Sequence, residues 1–272
     1  MSAAVLRVVR VLARALAWIG LLAAPAAAQD FAAPAPAWPP APALALLERG
    51  LPPPAASSCL AGTVTRWDGV AALVTRGAAL GIGRRALRAA LGVSQTGEPD
   101  VGWTALGLAV GAATAGAGGA LRAVARRDRT TAFGFDARGA AVGLEVGGGA
   151  WVEATGGVHV WASAPQLWTR GEAPPLSRRL EIGGAVDFGG AALWLGRAGV
   201  VGHPRGSRGE YAIGLAAAAG PMVVWLVARD QPPRGGVGLS AATHAVRVAA
   251  EVEGHPVLGE TARMSLGLGG GR

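Results

Sequence analysis

An all-β chain closed into an up-and-down antiparallel barrel of about 12–14 strands is the fold this sequence predicts. Three observations carry it. Apolar residues recur at every second position over long stretches, glycine-rich pairs join the alternating stretches, and the side chains available to fill an interior are mostly the two smallest. Of 272 residues, 61 are Ala and 44 are Gly, and the aromatics are nine Trp, four Phe and one Tyr. That is too little bulky side chain for an ordinary packed core of this length. Charged residues make up 15% against a usual share of about 25%, and hydrophobic residues reach 51%, which excludes intrinsic disorder of the whole chain.

The chain divides into three parts. Arg7, Arg10 and Arg14 precede an uncharged run from Ala15 to Ala28, and Ala26-Ala27-Ala28 before Gln29 supplies the small residues that a signal peptidase needs. Residues 1–28 therefore read as a cleaved signal peptide. Residues 29–58 are a Pro/Ala-rich disordered arm that favours extended chain and supports no packed element beyond one turn around Ala43 to Glu48. The barrel domain is expected over 59–272.

Within it the downstream half is the clearer. Val142, Leu144, Val146, Gly148, Ala150, Val152 and Ala154 fall on one face of an extended segment, and Gly143, Glu145, Gly147, Gly149, Trp151, Glu153 and Thr155 on the other. Gly156-Gly157 turns the chain into Val158, Val160 and Ala162 against His159, Trp161 and Ser163. The same unit recurs at Leu180 to Phe188, Gly189-Gly190 and Ala191 to Arg197. It recurs again at Tyr211 to Ala217, Gly220-Pro221 and Met222 to Ala228, then at Gly236 to Thr243 and Ala245 to Glu253, and a last strand covers Thr261 to Leu268. Upstream, candidate strands lie at Cys59 to Thr65, Val70 to Gly83, Leu87 to Gln95, Val101 to Gly111, Ala120 to Arg127 and Thr131 to Asp136. Short joins near 156, 189, 220 and 244 alternate with long ones at 165–178, 202–209, 229–235 and 254–260, as tight turns and longer loops do at the two ends of a barrel that crosses a bilayer.

The membrane reading has a physical basis. Hydrocarbon offers no partner to backbone N–H and C=O groups, so a glycine-rich chain can cross it only as a closed sheet. The aliphatic face then meets lipid. Small and charged residues line the lumen, where Glu145, Glu153, Glu181, Asp187, Arg247, Glu251 and Arg263 are the candidate lumen-facing residues. A helical reading competes at Val101 to Leu121 and Ala212 to Ala228, but both runs are Gly- and Ala-dominated and Gly220-Pro221 breaks the second. A soluble periplasmic or secreted all-β binding domain is the other alternative, since alternation also suits a half-buried sheet.

In its alternating segments, two-glycine hairpins and signal peptide the chain resembles the bacterial outer-membrane β-barrel proteins. The resemblance is to a class and implies an outer-membrane location and a role as a passive pore or an envelope structural or assembly component. Two departures stand beside it: the chain ends Leu268-Gly269-Gly270-Gly271-Arg272 without a terminal aromatic, and Tyr211 is its only Tyr. Trp67, Trp103, Trp151, Trp161, Trp168, Trp194 and Trp225 are candidate interface anchors, with Trp151 and Trp161 on the inward face.

Catalytic chemistry is not evident in the sequence. His159, His203, His244 and His255 lack ligands at metal spacing, and Gly206-Ser207-Arg208-Gly209 lacks the spacing of a nucleophile turn. Gly81-Ile82-Gly83-Arg84-Arg85 has no phosphate-binding lysine. The loop acids Glu172, Glu210, Asp230 and Glu260 have no evident partners. No enzyme, cofactor or metal is expected. Cys59, the single cysteine, excludes a disulfide framework and reads as a small buried residue. All 25 basic residues are Arg, the formal net charge of +8 falls to +5 once the leader's three Arg are removed, and the charge is dispersed, so nucleic acid is not an expected partner. Arg126-Arg127-Asp128-Arg129 reads as a solvated turn, with contact to anionic headgroups as its functional alternative. Expected partners are outer-membrane lipid, and small solutes or periplasmic proteins through the arm, which could also plug the lumen.

Overall fold

The computed structural model describes residues 42–53, 58–67, 73–98, 101–131, 138–154, 157–171, 179–200, 210–230, 233–255 and 259–269. Residues 1–41, which hold the expected leader and the first part of the expected arm, lie outside them. One helix, α1 (Pro42–Arg49), is followed by fourteen strands: β1 (Cys59–Arg66), β2 (Val74–Arg84), β3 (Leu87–Gly97), β4 (Val101–Ala113), β5 (Ala117–Thr131), β6 (Arg138–Ala154), β7 (Val158–Gly171), β8 (Arg179–Asp187), β9 (Ala191–Val200), β10 (Glu210–Ala219), β11 (Met222–Asp230), β12 (Pro233–Ala242), β13 (Val246–His255) and β14 (Gly259–Leu268). Every strand pairs antiparallel with its sequence neighbours, and β1 pairs with β14 from Leu60↔Leu268 to Arg66↔Ala262, so the sheet closes on itself. Closure leaves no edge strand and satisfies the ladder all round. A closed ring of strands is not the half-buried sheet on which the soluble alternative rested. The two runs weighed as helical spans are strand and hairpin instead, and no described helix is long and apolar enough to cross a membrane.

Side-chain alternation follows from the pleat. Leu80, Ile82, Leu91, Val93, Leu106, Leu108, Val110, Leu144, Ile213, Leu215, Leu226, Val248 and Leu266 are exposed on the outer wall, while their chain neighbours are buried inside or small. Fourteen strands of ordinary spacing and tilt enclose a barrel about 28 Å across between backbones. Two or three residues separate strands at one end (85–86, 114–116, 155–157, 188–190, 220–221, 243–245), here called the short-turn end. At the other, the long-loop end, the separations range from two residues (231–232) to nine (201–209).

Three expectations change. The strict alternation of short and long joins fails at 231–232 and 256–258, because β11 to β14 continue beyond their expected ends. Their charged residues stay in the ladder because they pair with one another inside the barrel. Arg126 to Arg129 are not a turn; they lie within β5, registered against β4 and β6. The arm is not disordered over 42–53, where α1 and the residues after it sit inside the barrel, with Ala43, Leu44, Ala45, Leu46, Leu51 and Pro52 buried. The expected single turn at Ala43 to Glu48 is a two-turn helix. Thr131 ends β5, and 132–137 fall outside the described residues.

Candidate functional site: a helix seated in the lumen

The inner wall of β1–β5 is built from the smallest side chains. Ala61, Ala79, Gly92 and Gly107 follow one another across four strands in direct register, and Ala90 pairs with Ala109 one row nearer the short-turn end. Larger residues here would fill the space that α1 occupies. A Cβ at Gly92 would come within 2.5 Å of Leu47, and one at Gly81 within 2.9 Å of Ala43 and 3.3 Å of the Cys59 sulfur. Ala43, Leu44 and Leu46 pack on Cys59, Ala61, Ala79, Ala90, Ala109 and Ala120. Cys59 is thus a small buried residue beneath the helix, as the sequence indicates.

A helix leaves its last carbonyl groups unpaired, and here the barrel wall supplies their donors. Arg122 Nη1 donates to the Glu48 carbonyl at 3.3 Å, and Ser163 Oγ to the Arg49 carbonyl. The chain then turns at Gly50, whose φ of +66° is the left-handed conformation of a helix C-cap and whose amide donates to the Leu46 carbonyl at 2.9 Å. A Cβ there would lie 2.9 Å from the backbone of Gly148 and Gly149, so both the turn and its seat on β6 require glycine. Beyond the turn, Trp151 Nε1 donates to the Pro52 carbonyl at 2.7 Å and Arg88 Nε to the Pro53 carbonyl at 3.0 Å. The segment enters near the short-turn end, reaches mid-height at Glu48, and returns.

Charged pairs fix it sideways. Arg263 of β14 holds the Glu48 carboxylate at 2.6 Å, and Arg49 lies 3.7 Å from Glu181 of β8. Arg263 is also the cross-strand partner of Glu251 on β13. Glu251 is 7% exposed, and its Oε1 is buried with no hydrogen-bond partner among the described residues. One arginine thus stands between two carboxylates, one on the helix and one on the wall, and is bonded to the helix.

Two further networks lie toward the long-loop end. Arg126 bonds Asp128 at 2.7 Å and approaches Glu145 at 3.5 Å, and Gln166 donates to the other oxygen of Glu145 at 3.2 Å. Across β10–β13, Arg229 and Arg234 each bridge Glu210 and Glu253, with Arg229 to Glu253 at 3.1 Å, Arg234 to Glu210 at 2.6 Å and Arg234 to Glu253 at 2.7 Å. Glu210, Arg229 and Glu253 are buried and the Arg234 side chain is 9% exposed, so the two arginines neutralise the two acids with little help from solvent.

On the inner wall four tryptophans lie over glycines of the adjacent strand: Trp151 over Gly118, Trp161 over Gly183, Trp194 over Gly214 and Trp225 over Gly238. They are 3–7% exposed. Trp151, Trp161, Trp194 and Trp225 are therefore not interface anchors; the glycine opposite each leaves the room that its indole occupies. Trp168 is exposed, two residues before Arg170 on β7.

No family model matches the chain, and no curated protein matches it. Among solved structures it is similar to mutants of the porin of Rhodopseudomonas blastica. One shares 12% identity at a TM-score of 0.43, a second 10% at 0.43 and a triple mutant 10% at 0.42, each match covering 79% of this chain and 99% of the porin. The barrel described above rests on this chain's own register and closure, and no residue role is taken from those porins.

Of the seven residues singled out in the sequence, the structure brings Glu251 and Arg263 together and buries Glu145 and Glu181 beside Arg126 and Arg49. Glu153, Asp187 and Arg247 are exposed near the short-turn end, and Asp187 accepts a hydrogen bond from the Gly189 amide at 2.8 Å. Glu48, Arg49, Arg126, Arg229, Arg234 and Glu253 were missed, and Glu210 is a paired strand residue, not an unpartnered loop acid. Glu253 shares the face of Glu251 in the expected strand, and extending the two-residue period past Ala228 and back from Tyr211 and Gly236 reaches Arg229, Glu210 and Arg234. Among the described residues no group of three or more His, Cys, Asp or Glu could hold a metal ion.

Proposed function

We propose that the protein is a passive conduit for small solutes across the outer membrane, held shut by its own N-terminal segment. The observation that carries this reading is α1 seated inside a closed, aliphatic-walled barrel and bonded through Glu48 to Arg263, with Glu251 waiting opposite the same arginine. A helix is about 10 Å wide, roughly a third of the barrel's span, so its departure would leave room for water and solute. When Glu48 leaves, Arg263 has a second carboxylate in register, which lowers the cost of unseating the helix. Two discrete pairings of one arginine make an equilibrium that a voltage, a solute or an envelope protein pulling on the arm could shift. The buried acids and bases of the lumen neutralise one another, which suits a water-filled passage better than a reaction centre. An exported protein with a lipid-facing wall belongs to the outer membrane, and heat-modifiable gel mobility of the membrane fraction tests that placement; recovery in the soluble periplasmic fraction would defeat it.

Single-channel recording in planar bilayers tests the conduit. The native chain is expected to be closed for most of the record. Glu48→Ala removes the carboxylate that Arg263 holds and should raise the open fraction about tenfold or more, given 1.5–3 kcal/mol for a charged hydrogen bond. Ala43→Cys places a thiol beside Cys59, since both side chains crowd the same point next to Gly81. Its disulfide should silence the channel until a reductant is added. If all three chains stay silent with and without reductant, the helix is a permanent structural plug and the barrel an envelope scaffold.

A further inference from the structure

We propose that the outer wall at the long-loop end of β5–β7 binds the phosphate of an anionic lipid headgroup, through Arg127, Arg129 and Arg170. The proposal rests on the membrane reading above. On β5 the pleat sorts four consecutive charged residues into two sets. Arg126 and Asp128 turn inward and pair with each other, whereas Arg127 and Arg129 turn outward and are exposed. Arg127 is registered with Val142 of β6 and Arg129 with Ala140, and on the far side of β6 Arg170 is registered with Leu144. Arg127 and Arg170 are therefore two strands and two residues apart, roughly 12 Å between their Cα atoms, so their side chains can reach one headgroup from both sides. None of the three forms an ion pair with a described residue.

Their level on the wall is fixed by what lies next to them. Below Arg127 the outward positions of β4 and β5 are Leu106, Leu108, Val110, Ala125, Ala123 and Leu121. Exposed Trp168 sits one outward position below Arg170, where an indole marks the boundary between hydrocarbon and headgroups. The arginines thus begin where the greasy belt stops. At the same end Arg76 of β2 is exposed on the outer wall, and Arg197 of β9 stacks on Tyr211 of β10 at 5.1 Å. The short-turn end differs: its outward residues include Leu60, Val152, Val158, Val186, Met222, Val246 and Leu268, and among the described residues Arg84 and its turn neighbour Arg85 are the exposed charges beside that belt. An unpaired guanidinium fork at headgroup depth matches a phosphate, which it can grip through two N–H groups.

Reconstitution of the full chain into phosphatidylcholine vesicles and into vesicles containing roughly 30% phosphatidylglycerol, whose negative surface attracts basic side chains, separates the possibilities. Lipid retained after detergent extraction is read by native mass spectrometry, with inorganic phosphate as a competitor. The native chain should retain phosphatidylglycerol over phosphatidylcholine, and the combined Arg127→Gln, Arg129→Gln and Arg170→Gln variant should lose that preference by about tenfold or more while inserting into phosphatidylcholine as well as the native chain. Equal retention by the variant overturns the proposal. Displacement of the lipid by millimolar phosphate alone would also overturn it, in favour of a free-anion site. Failure of both chains to insert into either vesicle would instead overturn the membrane reading, and with it this one.

Discussion

Each lumenal tryptophan depends on one missing methyl group. A Cβ at Gly214 would lie 2.1 Å from the ring of Trp194, and one at Gly238 lies 2.0 Å from that of Trp225. Glycine costs a strand backbone entropy, and an aromatic laid across it from the neighbouring strand covers the bare backbone and restores packing. Gly214→Val should therefore destabilise the barrel by about 1–3 kcal/mol, the range for an overpacked core, as measured by urea unfolding in vesicles. Trp194→Ala placed in the same chain should recover part of the loss; if it deepens it, the ring and the glycine are not a pair. The buried arginines make a stronger case. Arg229→Met would strand Glu210 and Glu253 with Arg234 alone, and should cost about 3–5 kcal/mol in the same assay, more than any rim substitution. The inward placement of Trp151 and Trp161 was legible from alternation alone. Their partners were not, because register decides which glycine faces which indole, and register is set by closure of the whole sheet.

The strands were the most legible elements, and the helix the least. A period of two survives in any strand with a lipid-facing side, so β6 to β14 stand out in the sequence. The upstream strands blur because their inner residues, such as Ala61, Ala79, Ala90 and Gly107, are as apolar as their outer ones, and contrast between the faces is what periodicity detects. The same property makes that wall the seat for α1. The helix itself was hidden by the prolines around it: Pro42 suits a first helical turn and Pro52 to Pro54 follow its Gly50 cap, yet their density reads as extended chain. Outer-wall positions carry their own prediction. Val248 is exposed on the outer wall within β13, and Val248→Arg should cost about 2–4 kcal/mol of insertion free energy, whereas Glu260→Arg at the long-loop end of β14 should cost about 0–1. Equal costs, read by titrating folded protein between vesicles and urea, would mean that depth in a bilayer is not what the wall senses.

At the scale of the molecule, the composition that first looked like a shortage of core becomes intelligible. A barrel buries little against itself: its aliphatic residues face outward, and among the described residues its interior holds a short helix, indoles laid over glycines and several sets of buried charges. Alanine and glycine are abundant because they leave that interior room. Closure through β1 and β14 also favours one order of assembly. The helix precedes β1 by nine residues and sits inside the ring that β1 completes. A helix cannot pass through a finished wall, so it leaves only by the mouth, and leaving breaks the hydrogen bonds that Arg122, Ser163, Trp151, Arg88 and Arg263 give its seat. When the two ends of the sheet meet around a helix already aboard, that seat forms without a later passage through the mouth, and the chain's first ordered residues act as a mandrel on which its last strand is wound shut.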